Sequence, residues 1–394
     1  MWIVKLGGSW LLNPRLNELL DYLSNFKNAP ISIVVGGGLF AQTIRDSQKV
    51  INFSDNLGHH LALLSTENFA RILNNINPSY ELTSNYRRIY SKRKIQVWLP
   101  SKQLTNDLSF SKDWESTSDS IASWLCKKIN AKLLANFGVG FNHIDVKAAN
   151  EHGITVSNTP GAVTDATADI AIALMLMCCR RTSEGERIVR SNKWEGWHPT
   201  QMLGFHISNK KVGIVGMGNI GQAIARRCHF GFGMQVGYFS RSPKNLDYPV
   251  DRYGSLTELA SNSDILVISV PGGSATHHLI NKDIFSAMQP HSYFVNIARG
   301  DVVKEIDLIE ALKLNQIAGA GLDVYEHEPK VPKDLISMEN VVLLPHLGTA
   351  SLEVRTGMGL MAVENIKYFF EGKEPPNPFL FSKTSRPCRR HNDK

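Results

Sequence analysis

Cysteine is sparse and carries no pattern. The 394-residue chain holds five, Cys126, Cys178, Cys179, Cys228 and Cys388, an odd number with no C-x-x-C spacing. That excludes a disulfide framework and a zinc-finger site, and it predicts reduced thiols in a cytoplasmic protein with no metal. Long apolar runs are also missing. The richest, "DIAIALMLMCC", falls far short of the ~20 residues that span a bilayer, and "MWIVKLGGSW" lacks the basic start and apolar core of a signal peptide. No membrane partner is expected. The sequence has no G-x-x-x-x-G-K-[ST] loop, no short tandem repeat and no Pro/Gly/Ser linker between its halves. Its net charge of +7 draws partly on the tail "SKTSRPCRRHNDK", where no aromatics interleave with the basic residues, so nucleic acid is not expected as a partner. Residues 381–394 read as a basic, disordered tail.

What is present is the alternation of an α/β protein. "WIVKLGG", "PISIVVGGG", "KVGIVGMG", "MQVGYF", "DILVISVP", "SYFVNIA" and "VVLLPHL" are apolar, β-rich runs separated by amphipathic stretches, which predicts parallel sheets. At this length more than one domain is expected, because single cores stop growing at roughly 250–300 residues.

"KVGIVGMGNIGQAIARRC" places Gly216, Gly218 and Gly221 as G-x-G-x-x-G between a strand and a helix. In that context the first glycine makes the tight turn, the second lets backbone approach a pyrophosphate, and the third lets helix pack on strand. The helix start then offers N–H groups to phosphate. An NAD site usually ends its second strand in Asp or Glu, about 20 residues after the glycines, to bind the ribose 2′-hydroxyl. Here "VGYFSRSPK" offers Ser240, Arg241 and Ser242 and no carboxylate. These residues predict a 2′-phosphate site and NADP(H) preferred over NAD(H).

Three further residues fall at or just beyond the ends of apolar strands, where open α/β sheets place ligands: Arg299 in "VNIARGD", Glu328 in "YEHEPK" and His346 in "LLPHLGTA". Reduction of a 2-keto acid needs a cation for the carboxylate and carbonyl, a proton donor for the developing alkoxide, and a hydride. Arg299 has the rigid fork for the first and His346 the imidazole for the second. Glu328 would orient the ring and favour its charged form if the two side chains meet.

With those residues in view, about 134–380 resembles the D-isomer-specific 2-hydroxyacid dehydrogenase family, and within it the glyoxylate/hydroxypyruvate reductases. "ANFGVGFNHID", "TPGAVTDATADIAIALML", "KWEGW", "GIVGMGNIGQAIARR", "VNIARGDVV", "AGAGLDVYEHEP" and "NVVLLPHLGTA" carry the likeness in family order. The resemblance implies that Arg299, Glu328 and His346 are catalytic and that Val139 and Gly140 bind substrate with Arg299. It places Thr167 at the cofactor; Asn219, Ile220, Pro271 and Asp323 complete the expected cofactor set. It also implies a homodimer, with Trp194 and Trp197 in packing or dimer contacts.

Residues 1–133 resemble the amino-acid kinase superfamily through "KLGGS", "VVGGG", "GHHLALLS" and "TSDSIASWL". The resemblance puts Lys5, Gly8, Gly37 and Asp119 on a phosphoryl-acceptor side, but no nucleotide-binding half follows. The expected layout is therefore a truncated kinase-like segment (1–133), a substrate-domain remnant (134–180 and 347–380) and a Rossmann domain (181–346). The opening βα units of the flavodoxin-like substrate domain are expected to be missing, and "AKLLANF" to be one sheet strand shared by two incomplete domains. The leading reading is an NADPH-dependent reductase of glyoxylate or hydroxypyruvate. Its rivals are an impaired fusion that keeps only dinucleotide binding, and a phosphotransferase dependent on Lys5.

Overall fold

The computed structural model describes residues 2–25, 30–88, 95–110, 118–140, 144, 146–161 and 163–379, without the side chains of 88, 118 and 119. The chain divides into two compact units, one ending at Lys132 and the other beginning at Leu133.

The first unit is built on a parallel sheet of β1 (Trp2–Leu6), β2 (Ile31–Val35), β3 (Glu81–Thr83) and β4 (Gln96–Trp98), in the order β1-β2-β4-β3. All five residues of β2, "ISIVV", are buried, as expected of an inner parallel strand covered on both faces. Helices Leu16–Asn25 and Asp55–Ile76 supply Leu20, Phe69 and Leu73 to the core with Ile33 and Val97. A second cluster stacks the Trp98 and Trp124 rings 5.6 Å apart. Just past β1 and β2 two stretches of backbone come close together. A Cβ on Gly8 would overlap the backbone of Gly38, which itself holds φ +54°.

The second unit contains two sheets. β5 (Leu133–Ala135) pairs only with β6 (Thr155–Ser157) among the described strands. The expectation of a strand shared between two domains is therefore corrected. β5 is three residues long, and its single partner comes from its own unit. Helix Leu352–Phe370 joins this small sheet through Asn365, fully buried, whose amide donates to the Asn158 carbonyl at 3.1 Å and accepts from Asn377 N–H at 2.9 Å.

The larger sheet has seven strands: β7 (Lys211–Val215), β8 (Gln235–Phe239), β9 (Asp251–Arg252), β10 (Ile265–Ile268), β11 (Tyr293–Asn296), β12 (Gly319–Leu322) and β13 (Val341–Leu343). Their order is β13-β12-β11-β10-β7-β8-β9, and every pairing is parallel. Chain order reverses between β7 and β10, the crevice where doubly wound sheets hold dinucleotides. Ile265, Leu266, Val267 and Ile268 are wholly buried, each side chain contributing about 1.5–3 kcal/mol.

The sequence places helix Thr164–Cys179 in the substrate-domain remnant. It packs instead in the core of the seven-stranded sheet, where Ala168, Ala171 and Leu174 meet Ile214, Val267 and Val295. Its apolar residues surround it on most sides, as suits a helix buried within a domain. Its thiols, Cys178 and Cys179, are buried too, and burial raises the pKa of both, that of Cys179 to about 12. No helix among the described residues is long and apolar enough to cross a membrane.

Candidate active site

The glycine turn after β7 uses its three glycines differently. Gly216 holds φ +98° and donates its N–H to the Phe239 carbonyl at 2.9 Å. A Cβ on Gly221 would overlap the Gly216 carbonyl, so helix Asn219–Arg226 can sit this close to β7 only with glycine there. A Cβ on Gly218 would meet nothing within 4 Å. That open space lies at the helix start, beside Asn219 and Ile220, where no side chain caps the first turn. The turn thus fits a dinucleotide: backbone N–H groups facing open space suit a pyrophosphate.

At the end of β8, Ser240 Oγ donates to the Ser242 carbonyl at 2.6 Å, and Arg252 from β9 donates to the Ser240 carbonyl at 3.3 Å. Arg241 and Ser242 are exposed. The sequence reading missed Arg252, whose place beside Ser240 depends on β8 pairing with β9. Pro271 follows β10 at the switch point, and its carbonyl accepts from Thr276 Oγ at 2.6 Å.

Glu328 and His346 meet, with Glu328 Oε2 2.9 Å from His346 Nδ1. The other carboxylate oxygen accepts from Tyr325 N–H at 3.1 Å. Burial alone would raise the Glu328 pKa, but the His346 hydrogen bond and charge, the Tyr325 N–H and the nearby Arg299 charge hold it below its ordinary value. His346 has φ +55°, an uncommon conformation for a residue with a side chain. Its backbone is fixed from Asp323: the Asp323 carbonyl accepts His346 N–H at 2.9 Å, and the Asp323 carboxylate accepts from Leu347 N–H at 2.6 Å and Gly348 N–H at 2.8 Å. Burial pushes the Asp323 pKa up, against those two N–H groups. Thr167 Oγ donates to the Gly348 carbonyl at 3.1 Å, tying helix Thr164–Cys179 to the same loop.

Arg299 is brought to Gly140. Its chain lies over Gly272, where a Cβ would stand 2.8 Å from Arg299 Cγ, and its guanidinium occupies the place a Cβ on Gly140 would take. The turn Gly138-Val139-Gly140 is shaped by two amides absent from the sequence-based set. Asn136 donates to the carbonyls of Gly138 at 3.0 Å and Gly140 at 2.9 Å, and Asn158 donates to that of Val139 at 3.0 Å. Because peptide units are planar and trans, engaging the Gly138 and Val139 carbonyls turns the N–H groups of Val139 and Gly140 to the opposite side. Asn136 lies inside the quoted "ANFGVG"; nothing local marked Asn158.

Lys5, Gly8 and Gly37 belong to the first unit, at the ends of β1 and β2. The Asp119 side chain and the tail from 380 lie outside the described residues. Among the described residues, no group of three or more His, Cys, Asp or Glu is placed to hold a metal.

Comparison with known proteins places this geometry. The family described as D-isomer specific 2-hydroxyacid dehydrogenase, NAD binding domain, matches residues 172–348. A glyoxylate reductase of Pyrococcus horikoshii is 39% identical over 301 residues, covering 72% of this chain and 88% of that protein. The crystal structure of an NADPH-dependent glyoxylate/hydroxypyruvate reductase from Sinorhizobium meliloti, in complex with NADP and malonate, is 31% identical. It covers 79% of this chain and 98% of that one, with a TM-score of 0.65. A glyoxylate reductase from Paecilomyes thermophila is 26% identical, covering 96% and 98% of the two chains with a TM-score of 0.64. The share of this chain matched by the Pyrococcus protein exceeds what residues 134–394 can supply, so the likeness begins before residue 134, earlier than expected. Both solved structures are matched over nearly their whole length, which goes against an opening half that is simply missing.

Proposed function

This chain belongs to the D-isomer specific 2-hydroxyacid dehydrogenases and is an enzyme, and we propose that it reduces a small 2-keto acid, glyoxylate or hydroxypyruvate, to the D-2-hydroxy acid with NADPH. The observation that carries this reading is the 2.9 Å contact of Glu328 with His346 in the same unit as an Arg299 guanidinium seated against Gly140.

Gly216, Gly218 and Gly221 with the start of helix Asn219–Arg226 would hold the pyrophosphate, and Ser240, Arg241 and Ser242 the 2′-phosphate. Bound there, the nicotinamide supplies the hydride. Arg299 binds the planar oxygens of the keto acid, and the N–H groups of Val139 and Gly140 take its carboxylate. His346 donates a proton to the developing alkoxide from Nε2, because Nδ1 is engaged by Glu328. Glu328 keeps the ring oriented, and Asp323 and Thr167 fix its loop.

NADPH oxidation by purified protein with glyoxylate or hydroxypyruvate tests the reading. Turnover that is lost in His346→Gln, and kcat/KM higher with NADPH than with NADH, are expected. NADPH binding without turnover would leave only a dinucleotide-binding protein.

We infer that two copies associate, supported by the exposure of Trp194 and Trp197, at 55% and 79%, on a segment without strand or helix; a monomeric mass in solution would sink this. The first unit we read as kinase-like in ancestry and silent as a phosphotransferase. ATP turnover abolished by Lys5→Ala would overturn that.

A further inference from the structure

The segment after β12 carries a second imidazole–carboxylate pair that the chemistry above leaves unused. Glu326 Oε1 lies 2.6 Å from His278 Nε2, and Glu326 Oε2 accepts from Glu305 N–H at 3.2 Å, where helix Glu305–Lys313 begins. Glu305 returns the bond, its Oε1 accepting from Glu326 N–H at 3.4 Å. Burial opposes the charge on Glu326, yet the His278 bond and the bond with Glu305 hold its pKa down. Glu305, only 7% exposed, is pushed up by burial and by Glu326. His277 stacks on His278 with ring centroids 3.8 Å apart.

These contacts converge on segments that carry two of the three reacting residues. His278 N–H donates to the Asp301 carbonyl at 2.9 Å, Ile280 N–H to Val302 at 3.0 Å, and Lys304 N–H back to Ile280 at 2.9 Å. Residues 278–280 are thereby zipped to the turn that starts at Arg299. Gly300, the next residue, lies so close to the Tyr325–Glu326 backbone that a Cβ would overlap it. Glu326 stands two residues before Glu328, whose Oε1 is held by Tyr325 N–H. One imidazole–carboxylate hydrogen bond therefore joins the Arg299 turn to the Glu328 segment, and a bond to a carboxylate is short and directional.

We propose that His278 and Glu326 are positioning residues that set the placement of Arg299 relative to the Glu328–His346 pair. The proposal rests on the reading of those three as the reacting set. Neither positioning residue touches reacting atoms; each acts through the segment it anchors. When the tie is cut, both segments keep their sequence and fold while their mutual placement relaxes, and a misplacement of about 1 Å costs on the order of 100-fold in rate.

The test uses the full chain with His278→Gln, Glu326→Gln and the double variant. It measures kcat and KM for glyoxylate, the Kd for NADPH, and Tm. Each single variant is expected to keep its NADPH affinity and to lose about 10- to 100-fold in kcat. The double variant should lose no more than the worse single one, because the pair acts as a unit. His278→Gln leaves Glu326 on the start of helix Glu305–Lys313, so it remains informative if Glu326→Gln does not fold. A lower Tm with kcat unchanged overturns the proposal, as do fully additive losses. If the parent does not reduce glyoxylate, or His346→Gln does not slow it, the underlying reading falls as well. If His346→Gln is inactive and His278→Gln is as fast as the parent, only the positioning role falls.

Discussion

Asp323 holds His346 by the backbone: its carbonyl takes the His346 N–H, and its two carboxylate oxygens take the N–H groups of the next two residues. Asp323→Asn turns one of those acceptors into a donor facing a donor. The expected loss is about 1–3 kcal/mol of stability, with a fall in kcat from a loosened His346. Thermal unfolding and steady-state kinetics check both.

The ring of His346 is held by Glu328, and its replacement should separate two effects. His346→Gln is expected to lower kcat by about 10²- to 10⁴-fold, the usual worth of a general acid, with the NADPH Kd unchanged. Glu328→Gln keeps the shape without the charge, so kcat should fall by less than in His346→Gln, with the NADPH Kd again unchanged.

A stability consequence follows from the same carboxylate. Its folded pKa lies below the ordinary 4.5, so folding is favoured by its ionisation. That contribution is fully present above pH 4.5 and is lost as pH falls through the folded value. Unfolding of parent and Glu328→Gln followed by denaturant from pH 7 to pH 3 should converge toward the acid end. Because Glu328 is partly exposed, the difference is expected to be modest.

The glycine turn offers a paired contrast. Gly218→Ala adds a methyl to open space and should leave Tm unchanged while weakening NADPH binding at least 10-fold, since only a ligand needs that space. Gly221→Ala drives a methyl into the Gly216 carbonyl and should lower stability by about 1–3 kcal/mol. Calorimetry with and without NADPH distinguishes the two.

Coenzyme choice is expected to follow Arg241. Arg241→Ser should reduce kcat/KM with NADPH by 10-fold or more, because a hydrogen bond to a charged group is worth about 1.5–3 kcal/mol, and leave kcat/KM with NADH nearly unchanged. A variant that lost activity equally with both coenzymes would refute the assignment.

The sequence was most legible where function is local. The three glycines of the β7 turn do their work within one strand, one turn and one helix, and their spacing announces them. Arg299 and His346 could be located because each follows an apolar run, whereas the meeting of His346 with Glu328 depends on strands ordered in space. β12, "GAGL", escaped notice because it lacks the branched residues that mark a strand. The reason lies across the sheet: a Cβ on Gly321 would stand 2.8 Å from Cys178 Sγ and 3.0 Å from Leu174 Cβ. The small residues make room for helix Thr164–Cys179, which sequence alone groups with the other sheet. Asn158 and His278 were invisible for a related reason. Amides and imidazoles are common on surfaces, and only the fold shows what they hold.

The two grips on His346 come from one short run of chain, backbone from Asp323 and ring from Glu328. That run works as a gauge block whose length matters more than its composition. Apart from Glu326, substitutions between the two carboxylates leave the gauge intact, but a single inserted residue would keep every catalytic side chain and still separate the ring from its backbone support. Among naturally occurring or engineered variants, length changes should therefore be found in the exposed segment around Trp194 and Trp197 and be absent between Asp323 and Glu328.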